Sequence, residues 1–196
     1  MALFARCPKP DPTPAYELLP QELYPETWTP EGLSVPWRFG NRHLSVTLVY
    51  ASADDTRYPS YAVACLGCPY KASRALSGDR ILRQDEAVEL ANSHASTCNA
   101  LGNPVPERPD DESARTLLLK RLVELQQVRG ARPINPEVFL GDRLELQRDD
   151  TWIRDVLLHT AEASPELLRA EPSPYAEGGF LFHGQPILGA DTPTGA

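Results

Sequence analysis

The sequence predicts an α+β fold, in which a β-hairpin and a helix form one module, an enlarged ββα arrangement, with additional helices toward the C-terminus. Three observations predict it. Residues 42–50 and 61–66 carry apolar side chains at alternate positions, as half-buried strands do. Residues 85–99 and 110–129 open with acidic residues and are followed by Gly102 and closed by Arg129-Gly130, which are helix start and stop signals. Four potential metal ligands, Cys65, Cys68, His94 and Cys98, fall at the end of the second strand and along the first helix, with the spacing C-x2-C-x25-H-x3-C.

Residues 1–41 read as a Pro-rich N-terminal arm. The chain holds 20 prolines, and Pro8, Pro10, Pro12, Pro14, Pro20, Pro25, Pro30 and Pro36 all lie here. Proline lacks an N–H and fixes φ, so neither a long helix nor a central strand fits. Tyr16, Tyr24, Trp28 and Trp37 are placed to pin the arm onto a neighbouring surface. The module is expected over 42–102. Leu44, Val46, Leu48 and Tyr50 form one strand face, and Asp54, Asp55 and Pro59 mark the loop that follows. Tyr61, Val63 and Cys65 share a face of the second strand. After the 102–109 linker, a mainly helical region is expected over 110–170. Its first helix presents Ala114, Leu118, Leu122 and Leu125 as a core stripe. A short hairpin is expected at 138–147 around Gly141-Asp142, and a helix at 151–163. Ser164-Pro165 reads as the cap and first position of a further short helix. A Pro/Gly-rich tail, 171–196, closes the chain, and Phe180, Leu181 and Phe182 could add a strand.

The four-residue constellation carries the chemistry. Zinc takes thiolate and imidazole ligands converging tetrahedrally. Two cysteines separated by two residues can grip one ion if the backbone turns tightly, and Gly67 is read as supplying a positive φ for that turn. His94 and Cys98 are one helical turn apart, and extending their face backwards gives Ala91 and Ala87, small enough to let the helix lie close to the hairpin. Four protein ligands close the coordination sphere, so the zinc is read as structural rather than catalytic. The deaminase pattern H-x-E with P-C-x-x-C is absent, since Ala64 precedes the CxxC. A thioredoxin-like reading needs the CxxC to open a helix, and Pro69 and the polar connector do not fit that. Residues 42–100 resemble actinobacterial C2HC zinc-finger-like proteins with a strand-borne CxxC and a helical H-A-x-x-C. The resemblance implies a zinc module and brings no established activity. The interval of 25 residues and the cysteine fourth ligand depart from C2H2 fingers, whose recognition-helix contacts therefore do not carry over.

Composition bounds the function. At 196 residues, with 41% hydrophobic and 23% charged content, the chain can bury an ordinary core. Its net charge of -8 opposes wholesale coating of nucleic acid. A local positive excess at Lys71, Arg74, Arg80 and Arg83 keeps a DNA- or RNA-binding regulator as an alternative. No apolar run reaches the length of a membrane span, and no signal-peptide core is evident, so a cytoplasmic location with reduced cysteines is expected. The excess of Arg over Lys suits a GC-rich bacterial genome. Cys7, His43, His159 and His183 are read as ordinary structural residues. No nucleophile elbow, phosphate loop or H-E-x-x-H is present. The expectation is a non-enzymatic, zinc-stabilised interaction protein with a protein partner, possible nucleic-acid contact and no membrane. The remaining alternative is an enzyme whose site carries no motif.

Overall fold

The structure is a computed structural model that describes residues 26–54, 59–73, 81–129, 132–174 and 179–184. It is an α+β fold. A four-stranded antiparallel sheet is formed by β1 (Leu33–Gly40), β2 (Val46–Ser52), β3 (Tyr61–Cys65) and β4 (Lys71–Ala72), in that spatial order. Helix α1 (Gln84–Thr97) lies on one face. Helix α2 (Asp111–Arg129), a 3-10 helix (Pro136–Asp142), α3 (Arg143–Leu146) and α4 (Asp150–Ala163) follow, and β5 (Leu168–Pro172) and β6 (Phe180–Gly184) pair as a second antiparallel sheet.

The predicted hairpin is β2–β3, and its alternation explains a core on both faces. Val46, Leu48 and Tyr50 join Ala62 and Ala64 beneath the sheet, packed on Leu140 and Leu144. Val49 and Val63 point the other way, onto Ala87 and Ala91 of α1 and Leu82. The third cluster is the C-terminal core, where Leu118, Leu122 and Leu125 of α2 meet Phe139, Leu146, Ile153, Leu157, Leu168 and Phe182. The leucine stripe of α2 is therefore core. The segment from Pro136 to Leu146 serves both halves: Val138, Phe139 and Leu146 enter the C-terminal cluster, Leu140 and Leu144 the one beneath the sheet.

Five local expectations are corrected. The segment read as arm contains β1. Pro36 is tolerated because β1 is an edge strand and because its register slips between Ser34 and Trp37, a bulge that takes the proline out of the ladder. Trp28 is buried beneath the sheet, as a pinning aromatic should be, whereas Tyr16 and Tyr24 lie outside the described residues. Leu44 is not on a strand face: it has φ 65° and is 78% exposed, because the β1–β2 turn continues to Ser45. The side chain of Asn41 sets that turn by accepting from the backbone N–H of His43 and of Ser45 at 2.8 and 2.9 Å.

The 138–147 hairpin is instead the 3-10 helix and α3. Asn135 caps the start by accepting from Glu137 N–H, and Pro136 follows at a first-turn position where no donor is needed. Ser164 does not begin a helix. It ends α4, donating its N–H to Thr160, while its carbonyl accepts from Leu167 and Leu168 as the chain turns into β5. Finally, α1 stops at Thr97, so Cys98 is the residue that caps it, in an extended conformation, rather than a helical one.

Polar contacts tie the halves together. The guanidinium of Arg143 is buried, donating to Asp150 at 2.5 Å and to the Gly32 carbonyl at 3.0 Å, while Ser52 on β2 also bonds Asp150. Gly32 adopts φ +69°, and a Cβ there would stand 2.5 Å from Arg143 Nη2, so only glycine fits. Arg148 donates to the carbonyl of Pro109 and to Asp111, and Gln147 to the carbonyl of Pro106, which fastens the 102–109 linker to the C-terminal unit.

Candidate metal site

The CxxC occupies the tight connection between β3 and β4, closed by a hydrogen bond from Cys65 N–H to the Tyr70 carbonyl at 3.0 Å. Cys65 is the last residue of β3, opposite Thr47 on β2, and is buried. Helix α1 brings His94 over this knuckle in its last turn, and the following residue turn brings Cys98. The one thiol or imidazole atom offered by each of Cys65, Cys68, His94 and Cys98 lies within 4.8 Å of all the others, so the group could hold a metal ion. Cys68 Sγ is 3.3 Å from His94 Nε2 and 3.9 Å from Cys98 Sγ.

The approach is possible because the surfaces that meet are small. Ala87, Ala91 and Ala95 are the buried residues of α1, and their methyl groups let the helix axis settle onto the sheet. Gly67 is needed for a different reason than expected. It has no positive φ; instead a Cβ there would come within 2.3 Å of Ser45 Oγ and 2.5 Å of the Leu101 carbonyl. The chain after α1 therefore lies directly against the knuckle, and Gly67 leaves the space for it.

The supporting residues are ones that sequence reasoning missed. Asn41 uses its amide in full: its oxygen organises the β1–β2 turn, and its NH2 donates to the carbonyls of Cys98 at 3.1 Å and Ala100 at 2.9 Å. One side chain thereby positions both Ser45 and Cys98. The hydroxyl of Ser45 lies 3.3 Å from Cys65 Sγ. The ring of Tyr70 stacks on His94, with centroids 3.9 Å apart and planes within 8°, and so holds the imidazole plane. The backbone N–H of Ala100 points at Cys98 Sγ from 3.4 Å. Such outer contacts orient ligands as much as the ligands' own elements do. Of these, Tyr70 alone had a signal in the sequence, its place just after C-x-x-C-P.

The thiols are electrostatically unequal. Burial pushes the Cys65 thiol up, but hydrogen bonds from Ser45, the Gly67 backbone and His94 outweigh it and bring it down to about 6. Burial and the neighbouring Cys65 push the Cys68 thiol up to about 11. Without a cation the cluster thus favours one thiolate, at Cys65; a bound cation would compensate more than one.

Among the described residues, no other residue singled out in the sequence joins this group. Lys71 forms an ion pair with Glu145 of α3, and Arg83 Nε lies 3.9 Å from Asp85 at the start of α1. Arg74, Arg80 and Cys7 lie outside the described residues. His43 accepts from Arg42 Nε at 3.0 Å, His159 is exposed on α4, and His183 faces Glu171 across the β5–β6 hairpin at 3.5 Å. No helix among the described residues is long and apolar enough to cross a membrane. No family model, curated protein or solved structure matches the chain.

Proposed function

We propose that the chain is a non-enzymatic protein whose interaction surface is held in shape by one structural zinc ion. The observation that carries the metal is the spacing of the four ligand atoms. Tetrahedral zinc with Zn–S of about 2.3 Å and Zn–N of about 2.0–2.1 Å sets S···S separations near ~3.8 Å and S···N near ~3.6 Å. The corresponding separations here are 3.9 and 3.3 Å. Three sulfurs and one imidazole suit zinc rather than magnesium or calcium, which prefer oxygen. With four protein ligands no position is left for water, which supports a structural and not a catalytic ion.

The interaction reading is supported by what the site displays. Leu44 and Leu101 form a backbone bridge at the rim of the site and are 78% and 71% exposed. A leucine held at φ 65° is strained, and exposing it gains nothing in folding; both make sense for a side chain presented to a partner. Beside it Arg42 is bonded to Asn99 and His43 and has no carboxylate partner among the described residues. Purified without added metal, the full chain is expected to carry one zinc by native mass spectrometry, and a metal-free chain whose α1 amides are as well protected as those of α2 would sink the zinc reading. Leu44→Asp is expected to keep the zinc and the melting temperature while abolishing retention of whichever host proteins the wild type captures. Undiminished capture would refute the leucine surface.

The nucleic-acid reading draws less support, because Lys71 is neutralised by Glu145 and Arg83 stands beside Asp85. It requires salt-sensitive binding that falls when Arg80 and Arg83 become alanine.

A further inference from the structure

We propose that Cys68 and Cys98 are an oxidation site, forming a reversible disulfide under hydrogen peroxide that expels the metal and takes over its crosslink between the knuckle and α1. The proposal rests on the metal reading of the same four residues.

The three thiols of the cluster are not equally able to react. Cys65 is buried at 7% exposure behind the Ser45 hydroxyl. Cys68 and Cys98 are half-buried, so a small oxidant reaches them, and their sulfurs are already 3.9 Å apart. A disulfide is about 2.05 Å long, so the two must close by about 2 Å. Cys98 can supply much of that movement by rotating its side chain from an extended backbone position beyond the last turn of α1, which gives up the Ala100 N–H contact to its Sγ but leaves the backbone bonds to His94 and Asn41 in place. A Cys65–Cys68 bond would have to draw the buried sulfur away from Ser45. It would also close only the knuckle on itself, leaving α1 unattached.

The chemistry balances with peroxide as the oxidant. One thiolate attacks a peroxide oxygen; the O–O bond breaks, a sulfenic acid forms and hydroxide leaves. The second thiolate attacks that sulfur, the S–S bond forms and a second hydroxide leaves. Two electrons pass from the two sulfurs to the peroxide, and the hydroxides take up protons as water. Two of the four ligands are then consumed. Cys65 and His94 alone no longer enclose the ion, which leaves as the divalent cation. The same junction stays joined, by a covalent bond in place of the metal, so the fold survives release. A dithiol reductant reverses the step and restores the ligand set.

The test uses the full chain loaded with zinc, exposed to hydrogen peroxide with a chromogenic chelator present. The expected result is release of one zinc per chain together with loss of two hydrogens in mass. A non-reducing peptide map should link the Cys68 peptide to the Cys98 peptide, with α1 still helical by circular dichroism. Dithiothreitol should reverse all of these. A Cys65–Cys68 link, a link to Cys7, or sulfinic acid without a crosslink would each overturn the proposal, as would zinc that stays bound. The wild-type map requires no variant to fold, and Cys7→Ser is expected to give the same Cys68–Cys98 link. Protein that never held zinc is treated in parallel. If that protein takes up no zinc when offered it and still forms the Cys68–Cys98 bond, the oxidation site stands although the zinc reading has failed.

Discussion

The two helices that flank the linker, α1 and α2, are held to the fold by different means. Helix α2 places Leu118, Leu122 and Leu125 in a cluster with Phe139, Ile153, Leu157 and Phe182. Helix α1 buries Ala87, Ala91 and Ala95 and no larger side chain. At roughly 0.8 kcal/mol for each buried methyl-sized group, the three alanines contribute only about 2 kcal/mol from the helix side. One fully buried leucine contributes as much. The sheet offers larger partners, Val49, Val63, Trp37 and Phe39, but α1 has little to set against them. Its small face serves close approach, and close approach serves the ligands. In α2 burial supplies the stability directly; in α1 it supplies geometry and leaves the clamp to the Cys/His group, which could hold a metal ion.

The contrast can be broken most forcefully at the clamp. Cys65→Ser, or removal of the metal by a strong chelator, is expected to free α1 from the sheet at a cost of several kcal/mol, on the order of half the roughly 10 kcal/mol a structural zinc supplies to a small module. Hydrogen exchange should show α1 amides losing protection while those of α2 and α4 keep most of theirs. Equal loss in both regions would mean that the two cores do not differ in this way.

A smaller effect is expected in the other half. Leu122→Ala removes a fully buried side chain from the C-terminal cluster and should cost about 2–5 kcal/mol, read from denaturant midpoints. Metal stoichiometry should stay unchanged. Loss of metal in this variant would show that the C-terminal core, through the Pro136–Leu146 segment, holds the site together.

The smallest expected effect is a pH dependence of the metal-free chain. Cys65 is held down to about 6, below the ordinary thiol value of 9.0. A depressed acid contributes stability above its unfolded pKa and loses it as pH falls through the folded one. Stability of the metal-free chain should therefore decline between about pH 9 and 6, and Cys65→Ser should remove that slope. A slope unchanged in the variant would assign it to another group.

Much of the site was legible without coordinates, because its signals are local. A C-x-x-C needs only a tight turn to converge, and a spacing of four residues keeps His94 and Cys98 together at the end of a helix even though Cys98 is its extended cap. The contacts that orient these ligands were not legible. Asn41 lies 57 residues from Cys98, whose carbonyl it binds, and nothing in its neighbours announces that bond. Gly67 was recognised as necessary but for the wrong reason, since the obstruction a Cβ would meet comes from Ser45 and Leu101, both distant in the chain. The same limit produced the errors in the fold. Pro36 argues against a strand until the strand is seen to lie at the edge with a bulge, and Gly141-Asp142 resembles a hairpin turn until Asn135 and Pro136 start a 3-10 helix.

By itself, then, the sequence determined the α+β class, the β2–β3 hairpin, the extents of α1, α2 and α4 to within a residue or two, and the four residues that come together as a group able to hold a metal ion. Each follows from periodicity, capping chemistry or spacing within one short stretch. Tertiary structure decided the edge strand β1, the double-faced burial of β2, the turn of Ser164 into β5 and the residues that aim the ligands. Those outcomes depend on which surfaces meet, and a backbone or side-chain group takes its partner from whatever the fold brings within about 3 Å, however far away it lies in the chain.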